Sequence, residues 1–183
     1  MSAVHDADPT LFPVEPLAAL PATAPENQAS KEVIFVVPGV AAPAGSKRAI
    51  TNRHTGRVVI VDDSKRSRPW KADVAAAAMD AMGGRPLLVG PLELHVRFVM
   101  TRPRGHYGSG RNAGVVRAGA PAYPTTRPDA TKLLRALEDA MSSVVWRDDA
   151  QVVTQRVEKV YGQPAHAQVR VRCLDRVDDL RAE

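Results

Sequence analysis

Apolar and polar residues alternate most clearly in the segment PLELHVRFVM. Every second position from Leu92 to Met100 is apolar, and the positions between them are mostly polar or charged. This period of two predicts a strand of about ten residues with one buried face. His95 and Arg97 then point to the other face, where solvent or a covering helix surrounds them.

Other short apolar segments also predict strands. KEVIFVV indicates a buried strand over Val33–Val37, and a turn at residues 54–56 leads into a second strand over Val58–Val61. Near the C-terminus, AQVVTQRVEKVYG and AHAQVRVRC follow the same pattern. Their short separation at Gly162–Pro164 predicts that these two strands form a hairpin.

Two segments have the composition and period of helices. WKADVAAAAMDAM follows Pro69, which suits a first helical turn, and Gly83–Gly84 ends it. The second helix begins after Asp129, which stands in an N-cap position. Its core-facing stripe consists of Leu133, Leu134, Leu137, Ala140 and Met141.

Length and composition indicate one globular domain. The chain has 183 residues, a hydrophobic content of 44% and a single cysteine, Cys173, which favours a reducing compartment. We expect residues 1–30, rich in proline and alanine, to form a disordered tail, residues 31–175 to form the domain, and residues 176–183 to form a tail or short helix. The sequence contains neither a signal-peptide pattern nor a membrane-spanning run, so a cytoplasmic protein is expected.

The charge distribution predicts an anionic partner. The formal net charge is +5, although a solvated basic face would give the same value. A loop rich in glycine and proline ends on Lys47 and Arg48 and suits phosphate, but it lacks the Walker spacing. The long segment 102–126 contains no acid, and such a loop either contacts nucleic acid or is a solvated linker. The candidate DNA-binding cations are Lys47, Arg48, Arg102, Arg104, Arg111, Arg117, Arg127 and Lys132.

Three acids bracket the second helix: Asp129 before it, and Asp148 and Asp149 after it. Each alone could be a helix cap or an ordinary acidic turn. Together they would repel each other by a few kcal/mol at about 4 Å, so a cluster of them would need a cation. Oxygen ligands of this type hold magnesium. Because Asp148 and Asp149 are adjacent, we expect only one direct ligand from the pair unless the turn brings both together.

These motifs resemble those of the RusA family of Holliday-junction resolvases. The resemblance rests on PGVAAPAGSKR, on PLELHVRFV, and above all on RPDATKLLRALEDAM followed by WRDDAQVV. The family's helix motif is approximately D-x-D-N-L-x-K, followed by a D-D-x-Q-V strand. Asp129 matches its first acid, and Asp148 with Asp149 matches the acid pair.

Three positions depart from that motif. Thr131 replaces the second acid, Lys132 replaces the asparagine and Arg135 replaces the lysine. The threonine hydroxyl could position a water bound to a metal ion, but it brings no negative charge. Arg135 keeps the positive charge but is a poor proton donor, because a guanidinium does not readily release its proton.

The resemblance implies an α+β fold with a small mixed sheet and two main helices packed on it. It also implies a homodimer, bacterial or phage-encoded, that cuts four-way DNA junctions with Mg²⁺, for which Mn²⁺ can substitute. Asp129, Asp148 and Asp149 would be catalytic residues and metal ligands, and Arg135 would be catalytic. One alternative is a junction-binding protein with little catalysis, because of Thr131. Another is a basic structural protein whose acids only cap a helix and a turn.

Overall fold

Two helices pack on one face of a four-stranded sheet. The computed structural model describes residues 31–44, 47–51, 53–62 and 66–174, and for residues 47–50 and 59–62 only the backbone. The tails expected at residues 1–30 and 176–183 lie outside this range. The helices and strands are β1 (Glu32–Pro38), β2 (Lys47–Thr51), β3 (Val58–Asp62), α1 (Ser67–Met82), β4 (Leu92–Met100), α2 (Ala130–Met141), β5 (Val152–Tyr161) and β6 (His166–Cys173). This arrangement confirms the predicted α+β class.

The sheet has the strand order β1–β6–β4–β5, and β2 and β3 form a separate antiparallel pair. β4 runs parallel to β5 and antiparallel to β6, so the sheet is mixed. The connection from β4 to β5 contains the long loop and α2, as parallel neighbours require a crossover. β4 is therefore one of the two inner strands, with β6 on one side and β5 on the other.

The predicted hairpin between β5 and β6 is wrong, because β4 lies between these strands. Their short connection crosses the end of β4, where the Gly162 amide donates to the Met100 carbonyl at 3.0 Å. A Cβ atom on Gly162 would lie 2.6 Å from Cγ1 of Val99, so any larger residue here would require Val99 to move. The alternation of residues predicts each strand correctly but carries no information about its neighbours in the sheet.

The core lies between the sheet and the two helices. β4 contributes Leu92, Leu94, Val96 and Phe98, each no more than 2% exposed. α1 buries Trp70, Val74, Ala78 and Met82 and ends at Gly83, whose φ of 54° lies in the left-handed region. α2 buries the whole predicted stripe of Leu133, Leu134, Leu137, Ala140 and Met141. Because these residues bury one face of α2, the opposite face of the helix is left exposed and could take part in a functional site.

The opposite face of the sheet carries ion pairs between neighbouring strands. Glu93 is 7% exposed and is paired with Arg172 at 2.8 Å and His95 at 3.2 Å. Arg97 pairs with Glu158 at 2.8 Å. His95 and Arg97 therefore lie on the face opposite the core, partly buried among charged neighbours.

Candidate active site

The connection from α2 to β5 rests on the segment that precedes β4. The Leu88 amide donates to the Val145 carbonyl at 2.8 Å, and Leu88 forms a parallel bridge with Trp146. A second contact comes from Gln151, whose Nε2 lies 3.2 Å from the Leu88 carbonyl and 3.3 Å from the Gly90 carbonyl. The acidic turn is thereby attached at both of its ends to the segment that precedes β4.

Gln151 also fixes the turn internally. Its Oε1 accepts hydrogen bonds from the amides of Arg147 at 3.0 Å and Asp148 at 3.2 Å. The Asp148 carboxylate accepts from the Ala150 amide at 2.9 Å, which completes a capping box on the 3₁₀ helix Asp149–Gln151. Asp148 therefore has a structural contact of its own, as the cap of this short helix.

Asp149 points in another direction and binds two side-chain donors. Its Oδ1 accepts from Nε1 of Trp146 at 2.8 Å and from the Ser142 hydroxyl. Trp146 is fully buried, so its indole is held by the core. Among the described residues, no side chain or amide hydrogen-bonds to Oδ2 of Asp149. One oxygen of this carboxylate is fixed, and the other remains available for a ligand.

Asp129 lies at the N-cap position of α2, as the sequence predicts, but its carboxylate does not cap the helix. Its backbone is extended, its carbonyl accepts from the Leu133 amide at 3.1 Å, and no cap hydrogen bond involves the side chain. The side chain is 60% exposed and lies 3.8 Å from Lys132. A carboxylate at a helix N-terminus that is not used as a cap can bind a cation from solvent.

One face of α2 leads from Asp129 towards Asp149. Four residues at intervals of four, three and four lie on the same side of the helix: Thr131, Arg135, Glu138 and Ser142. Thr131 and Arg135 are exposed. Ser142 contacts Asp149 directly. Arg135 therefore lies on the α2 face that ends at the acidic turn.

Glu138 belongs to this site, although the motifs did not select it. It is half-buried and accepts a hydrogen bond from Nε2 of Gln155 on β5. Burial, together with the negative charges of Asp149 and Asp139, raises the pKa of Glu138 above its usual range. Its position seven residues after Thr131, on the same helical face, is the sequence signal that could have revealed it.

The long loop is attached to the end of β5. The Arg102 guanidinium lies 4.2 Å from the ring centroid of Tyr161 and donates to the Pro121 carbonyl at 2.7 Å, and His106 contacts the edge of the same ring. Lys159 donates to the carbonyls of Thr126 and Pro128, both at 2.9 Å. Arg102 and Lys159 thus hold the loop in place.

Four of the predicted DNA-binding arginines have exposed side chains: Arg104, Arg111, Arg117 and Arg127. None of them forms an ion pair with a residue that the structure describes. Lys132 is exposed beside Asp129. The side chains of Lys47 and Arg48, at the start of β2, lie outside the described part of the chain.

Comparison with known proteins identifies the family. The family model described as endodeoxyribonuclease RusA matches residues 41–172, which is more than half of the chain. The chain belongs to the RusA family. It is also 28% identical over 132 residues to the uncharacterized protein YqaN of Bacillus subtilis (strain 168), covering 71% of this chain and 89% of that protein.

Membership of the RusA family implies an endodeoxyribonuclease of the Holliday-junction resolvase type, with branched DNA as the substrate. The match includes the helix α2, the acidic turn and the arginine loop. In the described part of the structure, no helix is long and apolar enough to cross a membrane.

The carboxylates at the two ends of α2 suit a hard divalent cation, which resolvases of the RusA family generally require. Magnesium commonly binds one or two protein carboxylates and completes its shell with water and substrate phosphate. Asp129 and Asp149 each have a carboxylate oxygen that the fold does not use, but they lie at opposite ends of the 12-residue α2, which spans about 18 Å. Among the described residues no three His, Cys, Asp or Glu side chains form a metal-binding group. The gathering of Asp129, Asp148 and Asp149 into one cluster therefore stays a prediction.

Proposed function

We propose that this protein resolves four-way DNA junctions by magnesium-dependent phosphodiester hydrolysis and acts as a homodimer in DNA recombination and repair. The observation that carries the proposal is that two carboxylates within the RusA match keep oxygens that the fold does not use. Asp149 is held through one oxygen only, and Asp129 occupies an N-cap without capping. Asp148, in contrast, is used as a cap for the backbone of its own turn.

The location of each residue suggests its role in the reaction. Asp149 would hold the Mg²⁺ ion, with Mn²⁺ as a substitute, and Asp148 would keep the turn in place. Asp129 would bind a cation separately at the N-terminus of α2, because the 12 residues of this helix span about 18 Å. The ion, when bound, supplies positive charge to the scissile phosphate and activates water. Arg135, on the α2 face that ends at the turn, would stabilise the charge that develops on the phosphate.

The arginine loop would bind the DNA backbone. Arg104, Arg111, Arg117 and Arg127 are exposed and therefore available to phosphate groups, as is Lys132. Contacts of this kind position a substrate without reading its sequence, so recognition would follow the shape of the junction. A two-fold dimer would suit a two-fold substrate and place one site on each of two opposed strands. Such a protein would act in the cytoplasm of a bacterial cell.

The test is cleavage of a synthetic four-way junction in Mg²⁺ or Mn²⁺. Asp149→Asn should lower the cleavage rate by roughly 100-fold or more, because it removes a charged oxygen ligand, while junction binding survives. The matched control is Asp73→Asn, which changes an exposed aspartate on α1. Full cleavage by the Asp149→Asn variant would remove Asp149 from the mechanism.

A second candidate function is junction binding with little cleavage, and the observation that favours it is Thr131. This residue stands where the family motif has an acid, and it is exposed on the site face of α2. Under this alternative the protein binds four-way junctions tightly but leaves them intact with every divalent ion. Thr131→Asp should then introduce cleavage, since it restores the charge that the motif contains at that position.

The salt dependence of DNA affinity distinguishes a purely structural basic protein from both candidate functions. Each phosphate contact releases counterions, so the affinity of a true DNA-binding surface falls steeply as salt increases. Arg111→Gln should reduce the slope of log affinity against log salt by about 0.9, the value for one phosphate contact. A shallow slope in the unmodified protein would favour the structural alternative.

A further inference from the structure

The two tryptophans of this chain differ in one respect. Trp146 and Trp70 are both buried, at 0% and 3% exposure. The indole N–H of Trp146 donates to Oδ1 of Asp149 at 2.8 Å, whereas Nε1 of Trp70 is buried without a hydrogen-bond partner. The chain contains only these two tryptophans. The fold therefore supplies one indole that contacts a candidate catalytic acid and one that serves only for packing.

We propose that Trp146 is a positioning residue that fixes Asp149 through Oδ1 and so assigns Oδ2 as the oxygen that binds the divalent ion. The proposal rests on the proposed function, in which Asp149 is a metal ligand. Trp146 acts through Asp149 and does not itself touch the substrate. The Ser142 hydroxyl is the second donor to the same oxygen.

The indole is a rigid donor because the structure around it is constrained. The Ser143 amide donates to the Trp146 carbonyl at 2.7 Å, and Ser143 has a φ of 65°, which closes a tight turn. The amides of Val144 and Val145 both donate to the Met141 carbonyl at 2.9 Å. The turn is thereby tied to the end of α2, and Trp146 is fully buried, so the close packing of the core restricts rotation of its indole ring.

A carboxylate on an exposed turn would otherwise sample several rotamers. Asp149 is exposed, and the only side chains shown to fix it are those of Trp146 and Ser142 within the described residues. Both donors use Oδ1, so the charge that remains to attract a cation is presented by Oδ2. Hydrogen bonds that orient a ligand in this way commonly change metal affinity by about 10-fold to 100-fold.

The experiment compares Trp146→Phe with Trp70→Phe. Both substitutions replace a buried indole by a smaller ring, but only the first removes a hydrogen bond. Calorimetric titration of the metal-free protein with Mn²⁺ should show an affinity about 10-fold to 100-fold lower for Trp146→Phe. Trp70→Phe should bind Mn²⁺ within about threefold of the unmodified protein, because its N–H makes no bond. Equal affinities in the two variants would overturn the proposal.

A second measurement does not depend on the folding of Trp146→Phe. In Trp70→Phe the only remaining tryptophan is Trp146, so fluorescence reports on the indole beside Asp149. Paramagnetic Mn²⁺ should quench this emission as it binds, and adding Asp149→Asn should remove the quenching. Unchanged emission in Trp70→Phe, at Mn²⁺ concentrations that calorimetry shows to be saturating, would overturn the proposal.

The outcomes separate this inference from the proposed function. If Mn²⁺ binding depends on Trp146 but the unmodified protein leaves four-way junctions intact, the positioning role stands and the nuclease proposal fails. If the unmodified protein cuts junctions and Trp146→Phe binds Mn²⁺ and cuts equally well, the positioning role fails alone. If the unmodified protein binds no Mn²⁺, both fail.

Discussion

Carboxylates occur in two regions of this molecule, and their surroundings differ. On the sheet face opposite the helices, every described glutamate has a cation beside it: Glu32 pairs with Arg170, Glu93 with Arg172 and Glu158 with Arg97. At the α2–β5 connection, Glu138 and Asp149 lie near each other. Among the described residues, their hydrogen-bond partners are neutral donors, such as the indole of Trp146 and the amide of Gln155.

The pKa values reflect this difference. Burial alone would raise the pKa of Glu158, but the hydrogen bonds and positive charges of Arg97 and Arg156 outweigh it, and the pKa is lowered. The pKa of Glu138 is raised by burial and then by Asp149 and Asp139. Acids on the sheet face thus stabilise the fold, whereas those at the α2–β5 connection keep unbalanced negative charge that a divalent cation would neutralise.

The largest expected change in stability comes from removing a positively charged side chain on the sheet face opposite the helices. Arg172→Met leaves the Glu93 side chain, which is 9% exposed, with His95 as its remaining ion-pair partner among the described residues. We expect the free energy of unfolding at pH 7 to fall by about 2–4 kcal/mol, because an uncompensated buried charge is costly. Urea denaturation measures this change.

The matched control is Lys71→Met, which breaks an exposed pair with Asp139 at 2.6 Å. This pair should contribute no more than about 1 kcal/mol. Adding Glu93→Gln to the Arg172→Met variant should recover part of the loss, since it removes the unpaired charge. Equal stability of the two methionine variants would contradict the assignment of a structural role to the sheet-face pairs.

The second largest expected change is stabilisation of the folded protein by Mg²⁺, which should depend on binding at the α2–β5 connection. A ligand that binds the folded state at ten times its Kd stabilises that state by about 1.4 kcal/mol. Thermal unfolding in Mg²⁺ and in Na⁺ at equal ionic strength measures the difference. Asp149→Asn should abolish it, and Glu158→Gln should preserve it. A full Mg²⁺ effect in Asp149→Asn would show that the ion binds elsewhere.

The sequence predicted the local structure well and the contacts across the chain less well. Periodicity located both helices and every strand of the four-stranded sheet, because burial of one face determines it. It missed β2, since Lys47 and Arg48 were assigned to the end of a loop. It misassigned the neighbours of β5, since a strand's own residues do not identify its partner. The bonds from Ser142 and Trp146 to Asp149 were not foreseen for a similar reason: sequence motifs record residue types but not which oxygen a donor reaches.

Glu138 shows what a family motif leaves out. The motif directs attention to Asp129, Thr131 and the acid pair, and position 138 is not part of it. The residue became a member of the site only when the fold placed it beside Gln155 and near Asp149. Helical spacing from Thr131 was present in the sequence, but spacing alone does not distinguish this face from a solvated one.

The third effect tests an acid of the sheet face through its pH dependence. The pKa of Glu158 is lowered in the folded state from its ordinary value of 4.5, so its contribution is fully present above that pH and is lost as the pH falls through the folded value. Glu158→Gln should lower stability at pH 7 by roughly 0.5–1 kcal/mol. Urea denaturation across pH should show the two proteins converging in acid. A difference independent of pH would mean that packing, not charge, is responsible.

The smallest expected change is a gain in stability, opposite in sign to that of Glu158→Gln. It comes from a glutamate-to-glutamine substitution at Glu138, near the α2–β5 connection. Because the pKa of Glu138 is raised above 4.5, the folded state holds its proton more tightly, and stability falls as the pH rises through the interval between the two values. Glu138→Gln removes that charge, and the new amide oxygen can still accept from Gln155. In metal-free buffer at pH 7 this variant should therefore be more stable than the unmodified protein by roughly 0.5 kcal/mol. The gain should disappear below pH 4.5, and a loss of stability at pH 7 would mean that Glu138 is balanced by a cation, as the sheet-face glutamates are.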